Sequence, residues 1–478
     1  MAEFRAAIVG FDITPEIHPE HGAWGTTPQL TEIDMPLLAR CVALRQDERL
    51  LIWFGSDLCG NPVPETDLLR SEVADALGLE RQQVIWSTSQ THSSPTLPGS
   101  NVPGGSSITV RGTYDPAYCA AQRQKFIGSY IDAAREALER LQPVNVLAGY
   151  GYCDSMSYNR RFPMPTGGVK FSRHHGEGLQ SGKFFDKTIG LVRFDDLQGH
   201  PLGAIFNFCA HPATMINDIC VSPDWVGTAR QIIEDRIGGR PAMFVQGFCG
   251  DVNCYHIFGT PQLARRNGQR LGEAAAEAMG RLIPVRSEPL AFAFATATLP
   301  CQPMYTLDQI DQQIDARRAF IEELDLDPQA TWFAGVNFPE QQTPEQRKAG
   351  VQMQIDYLEE ARRMLNAGES ARQTLDLPLA AVRIGDLGAA LSAGENFTLT
   401  GHQIRTRSPF PITLICGDTN GLFGYIGDDA EIDRGGYETD SFWKTQFVDG
   451  FRLALAKGTV DRIITTSVGL LKQVQQPG

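Results

Sequence analysis

Four times in this 478-residue chain an apolar, strand-like run breaks off at a short polar cluster. The clusters are Gln90-Thr91-His92, Ala210-His211-Pro212, Gly250-Asp251-Val252-Asn253 and Gly394-Glu395-Asn396-Phe397-Thr398. The sharpest break lies in Leu202-Gly-Ala-Ile-Phe-Asn-Phe-Cys-Ala-His211-Pro-Ala-Thr-Met215. An aromatic-containing apolar run bounded by turn formers reads as a buried strand. Pro212 has no amide donor and pushes the residue before it toward extended geometry. The His211 imidazole is therefore held at a strand end, where open α/β sheets place ligands. If the four strands are neighbours, their ends converge on one crevice. His, Asp and Glu side chains there would hold a divalent metal with an open position for water. Singly, each cluster also reads as ordinary loop chemistry, Gly-Asp as a turn and Ser-Ser-Pro as a cap.

The remaining pattern alternates strands with helices. Strands are predicted at 6–9, 41–44, 50–54, 84–87, 188–194, 202–208, 242–246 and 412–416, with the strand pattern also returning from 379. Helices are predicted at 64–78, 116–141, 225–237 and 261–281. Gly78 is a stop signal, and Asp224 can cap the helix that follows it. The segments 96–113 and 155–182 read as irregular. Two Glu-, Gln- and Arg-rich helices at 306–325 and 344–368 read as a helical insertion spanning 303–372. The expectation is an α/β fold, mixed sheet flanked by helices, in a single domain over 1–478.

Charge narrows the partners. The net charge is −14 with no basic stripe, which argues against nucleic acid and an anionic membrane surface. No segment approaches eighteen clean apolar residues, and the first residues lack a charged-then-apolar export pattern. The ten cysteines contain no Cys-x-x-Cys and several lie in apolar runs, so they read as buried reduced thiols. These features predict a cytoplasmic protein with no membrane insertion and say little about a small-molecule substrate, the partner expected by default; a homo-oligomer stays open. Gly22-Ala-Trp-Gly25 and the Gly-rich 99–113 stretch lack the strand-to-helix context of a phosphate loop.

Taken in order, the motifs resemble the neutral, non-lysosomal ceramidases, in the form of a divergent bacterial-type relative. The resemblance runs through Gly10-Phe-Asp-Ile-Thr-Pro15, Thr91-His92-Ser-Ser-Pro95, Asp186-Lys187, Ala210-His211-Pro212-Ala-Thr-Met215, Gln246-Gly-Phe-Cys-Gly250-Asp251-Val-Asn253, Gly394-Glu395-Asn-Phe-Thr398 and Asn420-Gly-Leu-Phe-Gly-Tyr425. It implies the ceramidase catalytic domain, without the β-sandwich domain that follows it in ceramidases, and hydrolysis of an N-acyl bond at a single zinc. By position, the resemblance makes His211, Glu395 and Tyr425 metal ligands. Tyr437 matches another active-site Tyr, and Arg160 or Arg161 an Arg that contacts the substrate's polar head.

Two positions depart from the family pattern. Gln90 stands where the family has its first zinc-binding His, and His92 matches a supporting His that would have to swing in to become a ligand. A neutral amide oxygen suits harder cations better than zinc. Asn253 stands where the family has an essential Ser; it cannot be a nucleophile but can donate to an oxyanion.

The reading is a metal-dependent hydrolase, zinc the expected cofactor, that cleaves an amide in a small polar substrate by metal-activated water. His92 would shuttle protons, and Asn253, Arg160 or Tyr425 would stabilise the oxyanion, with Tyr437 and Asp251 as further catalytic candidates. Arg161, His174 and Gln90 are candidate substrate contacts, though His174-His175 also reads as a solvated loop. The alternatives are a carbohydrate- or polyol-acting enzyme on the same scaffold, or a non-catalytic binding relative.

Overall fold

The computed structural model describes residues 3–18, 30–95, 116–165, 167–216, 218–333, 336–340, 342–440 and 451–476. The loop signals at 22–25 and 99–113 lie outside them.

Three larger sheets carry the fold. The first runs in the order Val84–Thr88, Arg49–Ser56, Leu38–Gln46, Arg5–Asp12 and Gln142–Pro143. The central sheet is ordered Ala242–Gln246, Pro201–Phe208, Thr188–Asp195, Asn145–Tyr152 and Ile283–Val285. The third is ordered Leu290–Pro300, Thr374–Ile384, Leu387–Ser392 and Ile412–Cys416. Each sheet is mixed, with one parallel pair: Arg49–Ser56 with Val84–Thr88, Pro201–Phe208 with Ala242–Gln246, and Leu387–Ser392 with Ile412–Cys416.

The burial pattern explains the near-continuous apolar runs. Successive strand residues face opposite sides of a sheet, and here both sides are covered. In Leu38–Gln46, Val42 and Leu44 enter a core shared by all three sheets, together with Ile8, Ile205, Val382 and Leu414. Cys41 and Ala43 face the other way, against Leu69, Val73 and Tyr130 of the helices Val63–Leu77 and Pro116–Glu139. The central sheet's outer face is covered by Trp225–Arg236 and Pro261–Met279, through Ala229, Ile233, Leu271 and Ala275. The third sheet is covered by Thr459–Gln475, through Ile463, Ile464 and Leu471. The sheets approach closely enough that a Cβ on Gly190 would come within 2.5 Å of Leu414.

Most predicted elements are present within a few residues. Gly78 ends its helix in the left-handed conformation, and the Asp224 side chain accepts from the Trp225 amide. The helices Leu307–Leu326 and Pro344–Asn366 pack on each other around their own apolar cluster. The 155–182 segment is not irregular. It holds the short strands Ser157–Asn159, Arg161–Pro163 and Val169–Phe171 and the helix His175–Gln180. The strand Leu290–Pro300 and the helix Thr459–Gln475 are additions to the predicted pattern. Nine described cysteines are free thiols, seven of them buried. No helix among the described residues is long and apolar enough to cross a membrane.

Candidate functional site

The four clusters do converge, but from three sheets. Gln90 follows Val84–Thr88, an edge strand of the first sheet, His211 and Gly250 follow parallel strands of the central sheet, and Glu395 follows an inner strand of the third. The joint is stitched by buried polar groups. The Gln246 amide nitrogen donates to the Ser89 and Ala210 carbonyls at 3.0 and 2.9 Å. The Gly250 amide donates to the Asn396 carbonyl at 3.0 Å, and Thr88 N to the Asp418 carbonyl at 3.1 Å. Gly250 has no substitute here, because a Cβ would lie 2.2 Å from the Glu395 carbonyl oxygen.

His211 is fully buried and held from three directions. Its carbonyl accepts from the Trp225 indole at 3.1 Å. Its Nδ1 lies 3.0 Å from the Val252 carbonyl, which can only accept, so the proton sits on Nδ1. Nε2 then carries a lone pair, has no hydrogen-bond partner among the described residues, and lies 3.5 Å from Glu395 Oε1. That contact would be an ion pair only if the ring were protonated. Burial, and then the nearby Arg160 charge, push the His211 pKa down to about 3, so it is neutral. The His92 ring lies 6.0 Å away by centroids and is likewise pushed down to about 3, by burial and then by His211 and Arg160.

Glu395 is buried beside this lone pair. The Gln90 amide nitrogen donates to its Oε1, while the Cys249 thiol donates to the Gln90 carbonyl oxygen at 3.3 Å. Gln90 adopts this position at φ +65°, uncommon for a side-chain-bearing residue. Burial raises the Glu395 pKa, opposed by the Arg160 charge and by hydrogen bonds from Gln90 and Tyr425. Tyr425 pairs with Glu395 in a two-residue parallel ladder, and its ring centroid is 6.2 Å from that of His211. Burial pushes its hydroxyl far up, with Glu395 adding to the effect.

Arg160 spans the other side. It donates to Glu438 Oε1 at 2.7 Å, to the Gly250 carbonyl at 2.7 Å and to Asn253 Oδ1 at 3.1 Å, with His211 Nδ1 3.4 Å away. Asn253 Nδ2 has only long contacts, 3.5 Å to the Tyr158 hydroxyl and to the Ser172 carbonyl. Tyr437 lies 5.7 Å from Tyr425 and 5.2 Å from Phe171 by ring centroids.

The other sequence candidates take different places. Arg161 is fully buried and donates to Glu431, Glu438 and the Gly435 carbonyl, so it braces the Arg160 side from behind. Asp251 accepts from Thr398 N and Asn159 Nδ2, both at 2.7 Å, which anchors the turn; burial raises its pKa to about 6. His174 is exposed at the start of its helix and its backbone bridges that of His256. Asp57 accepts from Arg230 and from Leu38 N.

Three residues escaped the sequence reading. Glu438 sits between the two arginines with its side chain wholly buried. Asp418 is buried at φ +45° with no partner for either carboxylate oxygen, and burial, then Glu395, push its pKa far up. Arg173 adjoins Phe171, its Cζ 4.8 Å from the ring centroid. A cavity of about 390 Å³ lies behind the Gly250-Asp251 turn, between Lys183, Phe184, Leu399 and Asp461, and is not lined by His211, Glu395 or Arg160.

Among the described residues no three His, Cys, Asp or Glu side chains form a ready-made metal cluster. The donor geometry at His211 and Glu395 nevertheless fits an ion. Two ligands about 2.0–2.1 Å from a tetrahedral zinc stand roughly 3.3–3.4 Å apart, against 3.5 Å here. Tyr425 provides a third oxygen at the same place.

No protein-family model matches the chain, and no curated protein matches it significantly by sequence. Solved structures do. The neutral ceramidase from Pseudomonas aeruginosa matches with a TM-score of 0.66 at 18% identity, over 99% of this chain and 75% of that one. A ceramidase complexed with C2 matches with a TM-score of 0.64 at 17% identity, over 100% of this chain and 77% of that one. At such identities the fold is what is shared: this chain has the α/β fold of those ceramidases from one end to the other.

Proposed function

We propose that this protein is a hydrolase that cleaves the amide bond of a small polar substrate at a site built on His211, Glu395 and Tyr425. The observation that carries the reading is the His211 lone pair, buried, unpartnered and facing a carboxylate, with the opposite ring nitrogen pinned by a backbone carbonyl. Metal-binding imidazoles take this arrangement, the second nitrogen fixing the tautomer. His211, Glu395 and Tyr425 would hold a divalent cation, zinc fitting the spacing best. Such a cation supplies Lewis acidity at neutral pH when bound.

The chain's own groups do the rest. Arg160 and the Asn253 amide, whose donors have only long contacts, face the region where charge would develop on the carbonyl oxygen. His92 is held neutral by burial, which disfavours its protonated form, so it would serve as a hydrogen-bonding imidazole beside His211. Arg161 and Glu438 hold Arg160 in place. The likeness in fold to ceramidases supports an N-acyl bond as the target.

A second reading has its own observation. The Gln90 amide donates to the very Glu395 oxygen that faces His211, and so satisfies that carboxylate without an ion. This favours a metal-free binding protein. Elemental analysis before and after chelation separates the two. About one equivalent of transition metal, lost together with amidase activity in Glu395→Ala, is the expected result. A folded, metal-free wild type that cleaves none of a panel of N-acyl substrates refutes the hydrolase reading.

A further inference from the structure

Arg173 follows the short strand Val169–Phe171 and stands at the edge of the site. Its Cζ lies over the Phe171 ring, 4.8 Å from the centroid, and so does that of Arg160, at the same distance. The Ser172 carbonyl, one residue before Arg173, is 3.5 Å from the Asn253 amide. Consecutive Cα atoms are about 3.8 Å apart, so Arg173 is anchored one residue from a backbone group that reaches Asn253.

Among the described residues, Arg173 has no anion in contact. Of the buried arginines, 40, 70, 160, 161 and 230 each contact a carboxylate, while Arg347 is held by three carbonyls, of Pro328, Ala330 and Glu340. Arg173, half-buried, makes one hydrogen bond, from Nη2 to the Asn337 carbonyl at 2.8 Å. Its Nε is buried with no partner. Glu340 acts on it only from a distance, as do Tyr437 and Tyr158. Burial lowers its pKa to about 10, which leaves it charged at neutral pH. The stretch that carries it is fixed, because the Asn337 side chain bonds both the amide and the carbonyl of Phe171, at 2.8 and 2.9 Å. A desolvated guanidinium is expensive unless something pairs with it, and its planar fork matches a carboxylate.

We infer that Arg173 is the specificity residue for a carboxylate borne by the substrate close to its scissile amide, so that the substrate class is N-acyl amino acids rather than neutral N-acyl amines. This rests on the amidase reading of the adjoining site, but its test does not need turnover. Isothermal titration would compare N-octanoylglycine with N-octanoylglycinamide, its neutral counterpart, against the full chain, while mass spectrometry follows products in parallel.

The wild type should bind the acid roughly ten- to a hundred-fold more tightly, the range of a charge-assisted hydrogen bond. Arg173→Gln should remove that preference while binding the amide as before, and Arg173→Lys should keep part of it. Thermal melts confirm that each variant is folded. Equal binding of acid and amide, no binding of either, or a preference that survives Arg173→Gln overturns the assignment. Competition by inorganic phosphate without binding of the acid overturns the carboxylate as the anion. Absence of product alongside a preference that disappears in Arg173→Gln refutes the amidase reading and leaves the anion subsite standing.

Discussion

Glu438→Gln isolates the pair of arginines behind the site. The wild-type carboxylate bonds Arg160 at 2.7 Å and Arg161 at 2.5 Å, all three side chains at most 3% exposed. Burial alone would raise its pKa, but the Arg161 and Arg160 charges outweigh burial and hold it below the ordinary carboxylate value. The amide keeps the shape and loses the charge, leaving Glu431 to balance Arg161 and, among the described carboxylates, Glu395 acting on Arg160 without an ion-pair contact. Removing one partner of a buried ion pair costs about 3–5 kcal/mol. Unfolding entropy scales as about 2.1 cal/mol/K per residue. For 478 residues that is roughly 1.0 kcal/mol/K, so the melting temperature should fall by about 3–5 °C. The pH dependence follows with its sign. A carboxylate with a lowered folded pKa adds stability above its unfolded value, about 4.3, and that stability is lost as pH falls through the folded value. Glu438→Gln should therefore lose its deficit on acidification, the two melting curves converging below about pH 4. Scanning calorimetry from pH 3 to 8 measures both. A shift under 1 °C at pH 7, or curves that stay parallel in acid, would mean that the ion pair adds nothing and that Arg160 is positioned by its carbonyl and Asn253 contacts instead.

Other perturbations test other links. Gln90→His should raise zinc retained after dialysis at least tenfold, because imidazole is a far better zinc ligand than an amide; unchanged metal content would show that position 90 does not face the ion. Gly250→Ala should destabilise by more than about 2 kcal/mol in denaturant titration, since overpacking against backbone cannot relax through a rotamer, and activity should fall with it; a folded, fully active variant would refute the close approach to Glu395. Trp225→Phe should cost about 1–3 kcal/mol by leaving the buried His211 carbonyl without its donor, read as a lower denaturation midpoint with reduced metal affinity. A loss confined to stability would mean that the indole does not position the imidazole.

Much of the scaffold was legible because both faces of its strands are buried, which writes apolar runs into the sequence, and because turn residues separate them. The hairpin around residues 46–49 and the helix cap at Asp224 are of this kind. The alternation Ala291-Phe-Ala-Phe-Ala-Thr-Ala297 is an equally plain period-two signal for the strand at 290–300. The strands at 157–159, 161–163 and 169–171 are three residues each, too short for any period to register. His211 and Glu395 stand out because each ends a run. Their partners do not, since an ion pair across 278 residues, Arg160 to Glu438, leaves no local trace. For the same reason Arg161 reads from sequence as a substrate contact rather than as the brace it is, and nothing in the local pattern singles out Arg173 or Asp418.

The joint between the three sheets also sets the order in which the chain acquires its chemistry. The contacts that make the site span 305 residues from Gln90 to Glu395, 332 from Ser87 to Thr419 and 157 from Gln246 to Ser89. Contacts of such sequence separation close the longest loops, and their closure entropy is met last. The hairpins, such as Leu38–Gln46 with Arg49–Ser56 and Thr188–Asp195 with Pro201–Phe208, can form before that happens. A chain arrested part-way would carry most of its secondary structure and none of its site. In a refolding experiment, circular dichroism should recover ahead of ligand binding, and the lag between them would time the docking of the sheets.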